Sequence, residues 1–164
     1  MDHVLPPGPA MPLLPSVNAG FVDTAGFLAL QGLFTAHVTG NFVTLGASIV
    51  PGISGAVAKL LALPIFCHVV ILVRLFSLAL SRRMLRSLEP LLALKALPLM
   101  IGAVLAIRLG PFANGDGWSA VVTGITLVAA MAVQNAAHRI YLASAPPTTL
   151  MTGTTTQLMI DLLT

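Results

Sequence analysis

The chain has very little charge. Of 164 residues, 8 are Lys or Arg and 5 are Asp or Glu, 8 % in all, against about a quarter in a typical soluble domain. A soluble fold of this length needs a polar shell that these side chains do not supply. Cys67 is the single cysteine, so disulfides and cysteine metal sites are excluded. Enzyme signatures are missing too: there is no HExxH, no Gly-x-Ser-x-Gly, no Walker loop, and His3, His37, His68 and His138 share no ligand spacing. No enzyme activity and no cofactor are expected. The net charge of +3 and pI of 9.8 do not indicate nucleic acid, because the few basic residues flank apolar runs, where orientation signals sit.

Hydrophobic residues are what is present, at 57 %, with a mean hydropathy of +0.97. No Asp, Glu, Lys or Arg occurs in 24–58, 117–138 or 140–160. A membrane-spanning helix needs about 20 mainly apolar residues, so each stretch can hold one. The reading is an all-α, polytopic transmembrane helical bundle in the bacterial inner membrane, with the lipid bilayer as its first partner. A proline-rich leader over 1–16 is expected to be flexible. Spans are expected at about 17–34, 38–54, 60–81, 91–107, 118–141 and 150–164. Trp118 and Tyr141 bracket the fifth, as interfacial aromatics do, and Ala129, Ala132 and Ala136 give it a small-residue packing face. Arg82, Arg83 and Arg86 place the end of the third span in the cytoplasm.

Self-similarity organises the chain. Gly20-Phe21-Val22-Asp23-Thr24-Ala25 followed by Thr39-Gly40-Asn41 has a partner in Met131-Ala132-Val133-Gln134-Asn135-Ala136 followed by Thr152-Gly153-Thr154. Asp23 lies 17 residues before Gly40, and Asn135 lies 18 before Gly153. Thr44 and Gln157 fall four residues past each glycine, each followed by leucine. The expected architecture is a repeated helical unit, 17–81 and 118–164, with Thr-Gly-interrupted helices. If the first interruption crosses the membrane, which 35–38 favours by extending the short run 42–50, the repeats are parallel and the N-terminus is periplasmic. If it is re-entrant, the repeats are inverted and the N-terminus is cytoplasmic.

GFVDTAGFLALQGLFTAHVTGNFVTLG and AVQNA…APPTTLMTGTTTQLMIDL resemble the YoaK family of bacterial multi-pass membrane proteins of unknown function. The resemblance covers nearly all of 17–164. It implies an inner-membrane protein of six or seven helices in a longer chain, so the sequence is expected to be C-terminally truncated relative to the family. It implies no activity.

Broken backbone at membrane depth is tolerated only where it is buried or lines a cavity, and matching interruptions in two halves mark transporter binding sites. The candidate substrate- or ion-binding residues are therefore Asp23, Thr39, Gly40, Asn41, Asn135, Thr152, Gly153 and Thr154. An acid inside a span is costly, which makes Asp23 the candidate coupling acid, with folding expected to survive Asp23→Asn; its bland alternative is a bundle-holding pair with Arg74 or Lys95. Asp161 has a weaker claim, and His37 reads as a hydrogen-bonded neighbour of the break. The leading function is secondary transport of a small solute, coupled to protons or sodium. The alternative is a non-transporting structural or accessory membrane protein whose threonines knit helices. Partners admitted are a small solute or monovalent cation and a second copy of the chain.

Overall fold

The computed structural model describes residues 10–47, 54–82, 89–142 and 151–162, and among them it is all-helical. The elements run α1 (Ala10–Ala29), a 3-10 turn (Val38–Gly40), α2 (Asn41–Ala47), α3 (Ala56–Arg82), α4 (Glu89–Leu109), α5 (Trp118–Tyr141) and α6 (Met151–Asp161). Two stretches are long and apolar enough to cross a membrane, Ala56–Leu80 in α3 and Trp118–Tyr141 in α5. Residues 1–9 of the expected leader, Arg83, Arg86 and the Pro146-Pro147 pair lie outside the described residues. Residues 10–16 of that leader are not loose: they form the start of α1. Pro12 falls in the first turn, where an amide has no intrahelical acceptor to lose, and Pro15 forfeits one hydrogen bond.

The centre of the bundle is α5. Its residues from Met131 to His138 are buried without exception, and α1, α3, α4 and α6 all pack on it. Close approach comes from small residues, as expected for this helix: Ala132 and Ala136 are fully buried. A Cβ on Gly102 of α4 would fall 2.5 Å from Leu127 Cδ2, so these two helices touch where only glycine fits.

Helix directions follow from side-chain pairs. Asn18 of α1 donates to Gln134 Oε1 at 3.0 Å, and Gln134 Nε2 donates to the Pro15 carbonyl at 2.9 Å. Further along, Leu30 and Leu33 close against Gly124. The chain rises through 15–30 while its α5 neighbours fall from 134 to 124, so α1 and α5 are antiparallel. Ser77 and Tyr141 share a hydroxyl hydrogen bond of 3.2 Å near the C-terminal ends of α3 and α5, whose N-terminal ends also meet through Asp116, so those two are parallel.

Here the structure departs from the expected crossing of 38–54. Gln31, just past α1, donates to the Phe112 carbonyl at 3.1 Å, and its Cβ lies 3.5 Å from where a Cβ on Gly55 would sit. The end of α1 and the start of α3 are therefore neighbours at one end of the bundle. Residues 35–37 run back beside Gly26 and Asp23 of α1, so the chain doubles back there. The reversal is local: Gln31 and Gly32 take φ of 56° and 82°, and the Gly32 amide reaches the Phe27 carbonyl at 2.9 Å, a Schellman-type helix stop. This ends α1 at Ala29, short of the expected Phe34.

The loop before α5 ties this end together. Asp116 accepts from the Gly55 amide at 3.0 Å and the Val57 amide at 2.9 Å, capping the free amides at the start of α3 from another segment. Those two amides hold its carboxyl below the usual aspartate range. A depressed carboxyl contributes stability above its unfolded value and loses it as pH falls through the folded one. Asp116→Ala is expected to cost about 1 kcal/mol at neutral pH and to flatten the loss of stability below about pH 4. Unfolding of the purified protein followed against pH checks both.

Candidate functional site

After Gln31-Gly32 the chain returns along α1. Thr35 passes so close that a Cβ on Gly26 would fall 2.8 Å from its Cγ2. Three residues lower, Asp23 receives it: Oδ1 accepts from the Thr35 and Ala36 amides, both at 2.7 Å, and Oδ2 pairs with His37 Nδ1 at 2.7 Å. Asp23 is 6 % exposed. An extended segment against a helix has no sheet neighbour, so its amides need side-chain acceptors. Asp23 is that acceptor. Neither Arg74 nor Lys95 pairs with it; among the described residues the one ion pair is Asp23 with His37. His37 itself is half-exposed and borders an open groove with Thr24, Phe27 and Phe34.

Asn41 closes the other side of the turn. Its Oδ1 accepts from the Phe34 amide and its Nδ2 donates to the Phe34 carbonyl, both at 2.8 Å, so one side chain satisfies both backbone groups of Phe34. The Phe34 ring then lies over Gly40, 3.1 Å from a would-be Cβ. Of the first Thr-Gly element, Asn41 and Gly40 thus shape the loop. Thr39 does neither. Its Oγ1 is buried and finds no hydrogen-bond partner.

The second element meets the first. The helix α6 packs against the 3-10 turn Val38–Gly40, and α3 packs on both. Thr152 is fully buried, and its Oγ1, like that of Thr39, has no hydrogen-bond partner. Gly153 is covered by Arg139, whose Nη2 lies 2.8 Å from a would-be Cβ. Thr154 is exposed. Asn135 is 5 % exposed and donates to the Met131 carbonyl at 3.0 Å, among other interactions. Asp161 is exposed and accepts from Gln157 at 2.7 Å.

The eight expected residues therefore divide. Thr39, Gly40, Thr152 and Gly153 lie on the elements that meet, Asp23 and Asn41 fasten the loop that carries Thr39, Asn135 is buried within α5, and Thr154 faces outward. Three participants were not anticipated as site residues. Thr35 supplies the amide and hydroxyl at Asp23, Arg139 covers Gly153, and Arg74 places its Nε in the interior with no partner. No spacing in the sequence links Arg139 to Gly153.

A buried donor left without its acceptor costs about 1–3 kcal/mol. Asp23→Ala strands the Thr35 and Ala36 amides together and is expected to cost the most of any single change at the break. Asp23→Asn keeps one oxygen for the amides but exchanges the charged oxygen facing His37 for an amide, and should fall between Ala and wild type. Unfolding midpoints of the three proteins in one detergent check the order; equal midpoints for Ala and wild type would contradict this role for Asp23.

No curated protein and no solved structure matches the chain. A family model described as a protein of unknown function, DUF1275, matches residues 11–164. That is nearly the whole sequence, and the YoaK-like proteins form this same family: the chain belongs to the DUF1275 family.

Proposed function

We propose that the chain is a polytopic inner-membrane protein built on an inverted repeat, and that it carries a small solute across the membrane from a site where its two Thr-Gly elements meet. The observation that carries this reading is the pair of hydroxyls, Thr39 and Thr152, far apart in sequence, both buried and both without a hydrogen-bond partner. Buried polar atoms are nearly always satisfied, and a packing role would leave them bonded to backbone or to each other. Thr123 and Thr156 show what packing threonines do here: each donates to the carbonyl four residues back, at 2.7 and 3.0 Å.

The distribution of polarity supports the membrane. Leu14, Phe21 and Leu28 on α1, and Leu97, Met100 and Ile107 on α4, are all more than 60 % exposed. Asp23, Asn41, Gln134, Asn135 and Thr152 are buried. An exterior more apolar than the interior fits lipid, not water. Antiparallel α1 and α5, each leading to a Thr-Gly element, support an inverted rather than a parallel repeat, the arrangement in which interrupted segments from two halves converge near the midplane.

The same geometry supports an orientation. The start of α1, beside Gln134, shares one end of the bundle with Arg82 and Arg139. By the positive-inside rule that end is cytoplasmic. The N-terminus is then cytoplasmic, opposite to what a crossing segment would give. With Cys67 replaced, a cysteine placed at Leu14 should resist an impermeant thiol reagent in intact spheroplasts and react after lysis.

The rival is an accessory protein whose polar residues only hold helices together, and the Asp23 and Asn41 contacts favour it for those two residues. Thr39→Val with Thr152→Val separates the readings. Removing unpartnered hydroxyls should leave stability unchanged or raise it by about 1 kcal/mol. As a transporter, the double variant, expressed at wild-type level, should fail to restore the metabolite profile of a deletion strain. Full restoration would favour the accessory role.

A further inference from the structure

The chemistry around the meeting point has one sign. Arg139 lies against Gly153 in the first turn of α6. Arg74 stands one turn before Ser77, whose hydroxyl bonds Tyr141, which puts it level with His138 and Arg139 on the parallel helix α5. Its Nε is buried without a hydrogen-bond partner. The described carboxylates are elsewhere or engaged. Asp23 is held by backbone amides and His37. Asp116 caps α3 at the far end. Asp161 is exposed and lies nine residues beyond Thr152, about 13 Å along the helix.

We infer that the solute bound at the start of α6 is a small oxyanion, a carboxylate or an inorganic acid anion, held by Arg139, the Thr152 hydroxyl and the free amides of that first turn. This deepens the transport proposal and rests on it. Each feature is incomplete in the way an oxyanion completes. A guanidinium presents a fork of donors matched to two oxygens of one anion. A threonine hydroxyl lacking an acceptor can donate to a third. The first turn of α6, eleven residues long, adds amides that have no intrahelical acceptor and the positive end of the helix dipole. The positive charge of Arg139 and the free amides at the start of α6 favour an anion and disfavour sodium at the same place. Gly153 has a definite part: a side chain there would push Arg139 away from the helix start.

The test is ligand-dependent thermal stability of the purified full chain in detergent, with N-methylglucamine salts of acetate, sulfate and phosphate, and with sodium gluconate and glycerol as cation and neutral probes. The expected result is a saturable rise in unfolding midpoint with at least one of the three small anions. It should be absent with sodium gluconate and glycerol, lost in Arg139→Gln and Thr152→Val, and weakened but kept in Arg139→Lys. Gly153→Ala, which leaves every charge in place, should weaken it as well. The three anions together separate a carboxylate from a divalent oxyanion. A rise with sodium or glycerol that is lost in Thr152→Val but not in Arg139→Gln would overturn the anion while leaving the site standing. An anion response unchanged in Arg139→Gln and Thr152→Val would place binding elsewhere and overturn the inference. No response to any probe, with wild type folded, would overturn it together with the binding site.

Discussion

Residues 33–37 form an irregular stretch of chain turned into the bundle, and the amides of Phe34, Thr35 and Ala36 in it need acceptors that no helix or sheet provides. That requirement governs the rest of the molecule. Asp23 takes the amides of Thr35 and Ala36, and Asn41 takes both backbone groups of Phe34. Without these two side chains the interior would hold several unsatisfied polar groups, and continuing α1 as helix would be favoured. With them, the chain can stop, double back along Gly26 and deliver Thr39 to the interior.

The delivered turn meets α6, and the two Thr-Gly elements are differently equipped. On the first side the polar side chains of the break are spent on its own backbone. On the second, Asn135 stands where Asp23 has its counterpart, and the glycine faces an arginine instead of an aromatic ring. The acid that reads as a coupling group in the sequence is thus engaged in structure, and the unpartnered polar atoms are those of Arg74 and the two threonines, with Arg139 over Gly153. A charged group at depth marks something worth explaining, but its partners decide whether it binds a ligand or the chain itself.

Much of this was legible before the structure. Helix content and the span of α5 between Trp118 and Tyr141, with Ala132 and Ala136 on its buried face, follow from hydropathy and small-residue spacing. The reversal at Gln31-Gly32 was written in the sequence as a glycine after an apolar helix, yet the apolar residues beyond it, Leu33 and Phe34, carry the helical pattern past the true end. Direction was not legible at all. Whether 38–54 crosses or returns depends on Gln31 lying beside Gly55 and Phe112, contacts between residues distant in sequence with no periodic signature. The same holds for Arg139 over Gly153 and for Asp116 capping α3. Proline content misled at 10–16, because two prolines near a helix start are tolerated where they would break its middle.

The account stands on the meeting of the two Thr-Gly elements, and cysteine cross-linking tests it most directly. With Cys67 replaced, cysteines at each of positions 38–40 paired with each of 151–154 would be oxidised in membranes, beside a control pair at Gln31 and Gly55, whose Cβ positions lie 3.5 Å apart. The account expects at least one pair across the two elements to cross-link as readily as the control. A control that cross-links while every pair between the elements stays reduced would contradict it.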